Sequence, residues 1–413
     1  MLGTTRKTAL LGSASAVALL VAAAPTQAQT EVEVSGYVKG DLIYDIDGGT
    51  IGDTANMSAI PLEGQAKDEL SGHFRAHARQ TRFRIQTSTD TAFGDLKTYI
   101  EGDFFGAGGN ENVSNSTSFR LRHAYGSLGP LLVGQTWSNF TRFHYPATVD
   151  FFGPQGALFK RQGQLRYTFD ASPNLQIAVS AENSENPQTS PLSAETSLTG
   201  SVDRIPDFVV MADYNAGGTS VSVGGILGKV YTEVQDFTTS CDDGVVTPGF
   251  PKCKTEDDDD TRWGVHLGVS QQVLGRDTVY GEITYGEGIG SYMNGLVPDT
   301  ITTTTINLVT GATTANVSAV KIWGYDVGFT HVWSDTAESN VVWGQYMNED
   351  ADKTTAGPNS LQRTQSLHVN YMWHPVPRVT LGLEGIYGTV NRKNTSPTIR
   401  SNSNDHFRVQ FGG

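Results

Sequence analysis

Arginines recur at two-residue spacing in this sequence. Arg82 and Arg84 flank Phe83, Arg120 and Arg122 flank Leu121, and Arg166 stands between Leu165 and Tyr167. Side chains two apart on an extended strand share a face, so the arginines point one way and their apolar neighbours the other. If the apolar face meets lipid, an arginine placed on it would cost about 2 to 4 kcal/mol near the midplane, which drives the guanidinium groups to the water side. A wall of such groups along an aqueous passage favours anions. The same alternation puts Lys97, Glu101 and Asp103 on the water side of the intervening strand, so part of the charge is locally paired. Two roles stay open for these arginines: contact with a passing solute, or bracing of the wall by ion pairs.

Such a wall needs strands with one greasy and one polar face, and the chain supplies them from end to end. Val32, Val34, Val38, Leu42 and Tyr44 share one face of the first stretch, opposite Glu33, Tyr37, Lys39 and Asp41. In the last stretch Phe407, Val409 and Phe411 oppose His406, Arg408 and Gln410. Between them lie stretches beginning near Arg79, Gly94, Thr117, Pro130, Lys160, Asn174, Asp207, Gly218, Thr261, Thr278, Ala319, Glu338, Gln362 and Arg378. The total is about sixteen, the even number that a transmembrane antiparallel β-barrel requires.

The connections alternate in length. Gly129-Pro130, Gly275-Arg276 and Pro375 to Pro377 are short turns, whereas Ile46 to Ala78, Glu233 to Asp260 and Ser291 to Ser318 are long. Short periplasmic turns and long extracellular loops follow from strands that go down through a membrane and come back. The low-complexity runs Thr300 to Thr305 and Asp257 to Asp260 read as solvated loop tips. Tyr44, Phe104, Trp323, Trp333, Trp343, Tyr371 and Trp373 fit aromatic girdles at the headgroup level.

One loop is out of character. Residues 139–159 hold Phe140, Phe143, Tyr145, Phe151, Phe152 and Phe159 together with Arg142, His144 and Asp150. That is too apolar for a segment waving in water. The loop is expected to fold into the barrel and narrow it, with Arg142 beside the basic wall; packing on a neighbouring subunit is the other reading.

The first 28 residues carry Arg6 and Lys7, an apolar run from Thr8 to Ala24 and the small-residue site Thr26-Gln27-Ala28. They read as a cleavable signal peptide, leaving residues 29–413 as one barrel domain bound for the outer membrane of a Gram-negative cell. The 413 residues include 46 glycines and are 38% hydrophobic, consistent with strands that need one apolar residue in two. A formal net charge of −14 argues against nucleic acid as a partner. Cys241 and Cys253 share one loop with no histidine at zinc-finger spacing, and a disulfide is their expected fate in the periplasm. The nine histidines are scattered, with no nucleophile motif, zinc pair or phosphate loop, so neither catalysis, a metal nor a cofactor is expected.

These residues also carry a resemblance. Ser35-Gly36-Tyr37-Val38-Lys39, the run from Arg79 to Thr87, Gly94 to Phe104, Phe119 to Gly126, Leu132 to Ser138 and the Asp150-Phe151 and Gly153-Pro154 pairs are similar to the opening strands and inserted loop of the DcaP-like trimeric outer-membrane porins. The likeness is specific over about Ser35 to Thr168. It implies a homotrimer of sixteen-stranded barrels in outer-membrane lipid, passing small anionic solutes, dicarboxylates above all, along Arg82, Arg84, Arg120, Arg122 and Arg166. Two features depart from the family: little chain separates Ala28 from the first strand, where some members have a helical extension, and the sequence ends Phe411-Gly412-Gly413 instead of on an aromatic residue. The reading is thus a passive, anion-favouring pore and not an enzyme. The alternatives are a dedicated organic-acid channel, and a barrel enzyme or adhesin acting through its loops.

Overall fold

The computed structural model describes residues 29–110, 114–184, 188–189, 199–201, 203–235, 255–294, 298–306, 313–351, 360–393 and 399–413. The expected signal peptide, Cys241 and Cys253 lie outside the described residues.

Among the described residues sixteen strands form one antiparallel ring, with the short strand Thr199–Ser201 added at its edge. They are β1 (Thr30–Tyr37, continued by Asp41–Asp47), β2 (His73–His77, continued by Arg82–Thr89), β3 (Leu96–Asn110), β4 (Ser116–Leu128), β5 (Leu131–Trp137), β6 (Arg161–Ser172), β7 (Leu175–Glu182) and β8 (Asp207–Ala216). The second half comprises β9 (Thr219–Gln235), β10 (Thr255–Gln272), β11 (Thr278–Glu287), β12 (Lys321–Ser334), β13 (Ala337–Asn348), β14 (Ser360–Trp373), β15 (Leu381–Lys393) and β16 (Ser403–Gly412). Each pairs with its sequence neighbour. The first strand closes the ring: Thr30–Tyr37 pairs with β2, whereas Asp41–Asp47 lies between β2 and β16, with Asp41 opposite Gly412.

The two-residue alternation sorts the strands' side chains as lipid and water demand. Val32, Val34 and Val38 are 64%, 67% and 81% exposed on the outside, while Asp45, Arg408 and Gln410 on the opposite face are buried. The inner face is polar but not empty of grease. Ile51, Ala55, Met57, Ile60 and Leu62 of the first long loop are buried in one cluster with Phe140, Leu158, Tyr292, Met293, Tyr346 and Ile386. Much of the barrel's interior beneath the loops is therefore packed.

Four loop expectations are corrected. The segment from Ile46 to Ala78 is not wholly external: its apolar residues drop inside, and His73–His77 forms the outer half of β2. The Glu233 to Asp260 connection is shorter than read, because β9 and β10 stay laddered out to Gln235 opposite Thr255. The threonine run is a strand, Thr300–Ile306, paired with Thr313–Ala319 in a small separate sheet, as β-branched residues prefer. Asp258 and Asp260 are not loose tips either; they accept from the backbone N–H groups of Val317 and Ala319.

Candidate functional site

The centre of the site is a pair of carboxylates on β3 ringed by arginines from the strands on either side. Register places Arg84 opposite Glu101, and Asp103 opposite Arg120. A β-bulge decides the rest: Glu101 pairs with His123 and Gly102 with Leu121, leaving Arg122 as the extra residue on β4. A bulge re-aims a side chain, and here it swings Arg122 between the two acids. Arg122 donates from Nε to Glu101 Oε1 and from Nη1 to Asp103 Oδ2, each at 2.9 Å. Arg120 grips Asp103 with two parallel bonds of 2.9 and 2.7 Å, and Arg84 reaches Glu101 Oε2 at 2.9 Å. Tyr99 also donates to Glu101 Oε2 at 2.9 Å, while Arg82 approaches Oε1 at 3.4 Å.

A fifth cation joins from β6. Arg161 has Arg122, Arg120, Arg82 and Asp103 as its electrostatic neighbours, and its guanidinium lies over the Trp137 ring at 4.4 Å and the Phe159 ring at 5.7 Å. Its Nη1 is buried without a hydrogen-bond partner. Period-two counting from Leu165 and Tyr167 puts position 161 on the lipid side, and so missed it. The strand's start at the loop base, where aromatic rings gather, turns the side chain inward. The signal available in the sequence was Trp137 and Phe159 bracketing that loop, since guanidinium groups stack on aromatic faces. Five guanidinium groups therefore face two carboxylates, a local excess of positive charge in a net acidic chain.

The loop from Ser138 to Phe159 crosses the interior to the far wall. Asn139 N–H donates to Glu182 on β7, His144 N–H to Glu282 on β11, and Val149 and Asp150 N–H to Glu384 on β15. Gln155 N–H donates to Ser366 on β14, and Asn370 of the same strand holds the Ala147 carbonyl. Both ring nitrogens of His144 meet hydroxyls, Ser270 and Ser222, at 2.9 Å; burial holds this ring below the usual histidine range against the pull of Asp213. Glycines on the strands make room. A Cβ at Gly328 would lie 2.3 Å from Pro146, at Gly344 2.4 Å from the Gln155 carbonyl, at Gly268 2.2 Å from the His144 ring, and at Gly382 2.5 Å from Val149. The loop's other side faces the arginines: Phe151 lies 5.5 Å from the Arg120 and 5.3 Å from the Arg122 guanidinium, and stacks on Phe105 at 5.0 Å.

Of the residues singled out in the sequence, Arg82, Arg84, Arg120 and Arg122 come together in this cluster. Arg142 is not beside it: it forms a bidentate pair with Asp213 on β8, at 2.8 and 2.7 Å, and also holds the Asn139 and Thr141 carbonyls. Asp213 holds it at the Arg166 end of the basic wall, away from Glu101 and Asp103. Lys97 sits by the short turn, half exposed and paired with Asp95 at 3.0 Å. Arg166 is on β6, with Arg142, Glu182 and Tyr125 as its electrostatic neighbours. Among the described residues no group of three or more His, Cys, Asp and Glu side chains is arranged to hold a metal ion.

Residues 20–215 match the family model of the DcaP outer membrane protein. This stretch is similar to the DcaP outer membrane proteins. That span contains the arginine-bearing strands β2 to β6 and the inserted loop. The fold extends the likeness over the whole barrel. The crystal structure of the outer membrane channel DcaP of Acinetobacter baumannii superimposes with a TM-score of 0.72 at 22% identity, covering 94% of this chain and 98% of that one. An anion-selective porin from Comamonas acidovorans matches with a TM-score of 0.52 at 12% identity, over 93% of this chain and 99% of the other. OmpT of Vibrio cholerae, an outer membrane protein in its trimer form, also reaches 0.52 at 10% identity, over 93% and 98%. No curated protein matches the sequence. The chain thus has the fold of the outer-membrane porin β-barrels.

Proposed function

We propose that this barrel is a passive pore for small anions, with small organic acids such as dicarboxylates as its preferred solutes, working as a homotrimer. The supporting observation is the charge balance at the wall: Glu101 and Asp103 are saturated by Arg84, Arg120 and Arg122, and Arg82 and Arg161 add positive charge that no carboxylate neutralises in full. Ion pairing there fixes the geometry, and the surplus is free to attract. The loop from Ser138 to Phe159 supplies the opposite bank and narrows the lumen to an eyelet. On one side are guanidinium groups that can fork onto a carboxylate with two parallel bonds. On the other are the rings of Phe151 and its neighbours, which exclude water and strengthen the field. The likeness of residues 20–215 to an outer membrane protein family, and the anion selectivity of the Comamonas acidovorans porin that shares the fold, support the same reading.

Liposome swelling with the purified protein tests it. Mono- and dicarboxylates should enter faster than amines or sugars of equal size, and hydrolysis of lipid or peptide by the same preparation should be absent. Equal rates for carboxylates and amines would overturn the proposal, and turnover would transfer the case to a barrel enzyme.

A further inference from the structure

The segment that follows β11 also turns into the lumen, and it grips the end of the Ser138 to Phe159 loop. It enters by a short helical turn, Gly290–Tyr292, and Tyr292, Met293 and Asn294 are all buried. These three residues run antiparallel to the loop's end, with Met293 opposite Leu158. Phe159 N–H donates to the Tyr292 carbonyl at 2.7 Å, and Asn294 N–H donates to the Ala157 carbonyl at 3.0 Å. The Asn294 side chain turns both of its polar atoms to the same loop. Its Oδ1 accepts from Gly156 N–H at 2.9 Å, and its Nδ2 donates to the Phe152 carbonyl at 3.0 Å and to the Pro154 carbonyl. On β12 behind them stands Gly324, where a Cβ would strike the Gly156 carbonyl and lie 2.9 Å from the Met293 sulfur. The turn is itself anchored to the wall. Arg262 of β10, wholly buried, donates to the Gly288 carbonyl and to Asp299, each at 2.7 Å, and pairs with Asp207 of β8. Asp299 also accepts from Ser291 N–H at 2.6 Å, and the Tyr292 hydroxyl donates to Asp207 at 2.7 Å.

We propose that Asn294 is a positioning residue that sets the bore of the eyelet, its segment acting as a strut between the wall and the inserted loop. The residues it holds carry the eyelet's aromatic bank. Phe159 ends that stretch and lies beneath the Arg161 guanidinium, and Phe151 precedes it, facing Arg120 and Arg122. Glu182, Glu282 and Glu384 hold other parts of the loop only by taking its N–H groups. A carboxylate has no proton to offer the Phe152 and Pro154 carbonyls, whereas an amide both donates and accepts. Without Asn294 those two carbonyls lose their donor in a buried place, a loss that drives the loop's end toward water. Its neighbour Phe151 moves with it, and the gap to the arginines widens.

This rests on the reading of the barrel as a pore, and the experiment separates the two. Single-channel conductance and the size limit in liposome swelling are measured for the wild type and for Asn294→Ala. The variant should conduct roughly 1.5-fold more or better and admit larger solutes, since conduction is set at the narrowest point. Asn294→Asp keeps the acceptor for Gly156 and loses both donors, so it should behave alike and serves if the alanine variant does not fold. A rescue tells positioning from bulk stability. Leu158 and Met293 form a non-hydrogen-bonded antiparallel pair, whose close side chains suit a disulfide. Leu158→Cys with Met293→Cys, oxidised in the Asn294→Ala background, should restore the wild-type conductance and size limit, and reduction should undo the rescue. Asn294→Ala alone, taken through the same oxidation and reduction, should not change. The proposal is overturned if a folded Asn294→Ala barrel keeps the wild-type conductance and size limit, if the bridged variant fails to recover them, or if peptide mass analysis finds no bridge between positions 158 and 293. A bridge that forms in a barrel passing no ions would instead sink the pore.

Discussion

Arg122 and Arg161 stand side by side in space yet do different jobs, and their substitution should show it. Arg122 is 2% exposed and joins Glu101 to Asp103, so it braces the wall. Arg122→Ala would leave two buried carboxylates short of a partner, a loss of about 3 to 5 kcal/mol, read as a lower thermal unfolding temperature in detergent. Arg161 forms no close ion pair among the described residues and leans on Trp137 and Phe159. Arg161→Ala should leave unfolding nearly unchanged and lower the anion-to-cation permeability ratio by roughly twofold or more, as expected for one cation lost from a basic eyelet. The sequence showed four of these five cluster arginines because strict alternation governs mid-strand positions. It hid Arg161 because alternation fails where a strand meets a loop, and it could not show the Arg142 ion pair because its partner Asp213 is 71 residues away.

At the scale of elements, the loop's position is written on the opposing strands as glycine. Gly268, Gly328, Gly344 and Gly382 all stand where an inward side chain would strike the loop, and at Gly344 the obstacle is the Gln155 backbone itself, which cannot swing aside. Gly344→Leu should therefore unseat the loop without breaking the ladder, raising single-channel conductance and admitting larger solutes in swelling assays; an unchanged size limit would show that the loop does not narrow the pore. The apolar content of residues 139–159 announced a loop that avoids water. The matching glycines could not be read, because glycine in a strand has several causes and only coordinates show what approaches. The first loop was missed for the converse reason: Ile51, Met57, Ile60 and Leu62 are diluted among glycines, acids and a lysine, and only in space do they join one cluster.

For the whole molecule, the period-two pattern and the alternation of short and long connections were enough to place sixteen strands, most within a few residues of where they lie, since lipid outside and water inside impose the pattern on each strand separately. The closure of the ring was not visible, because it depends on a break in β1 near Gly36 and Gly40 that lets one strand serve two neighbours. A φ of +144° at Gly36, with the Arg82 carbonyl 2.1 Å from where a Cβ would be, makes glycine necessary there. Assembly belongs to this scale as well. The unheated protein in dodecyl sulfate should migrate as a compact trimer and shift to an extended monomer on boiling; a monomer band without heating would contradict the trimer.

The central claim is that surplus guanidinium charge at the eyelet, against a chain that is acidic overall, sets which ions pass. The reversal potential of the purified channel in a planar bilayer under a potassium chloride gradient measures this directly. The sign should report chloride preference, with the preference declining as ionic strength rises and screening shortens the reach of the arginines. A reversal potential of the opposite sign, showing potassium preferred, would contradict the account.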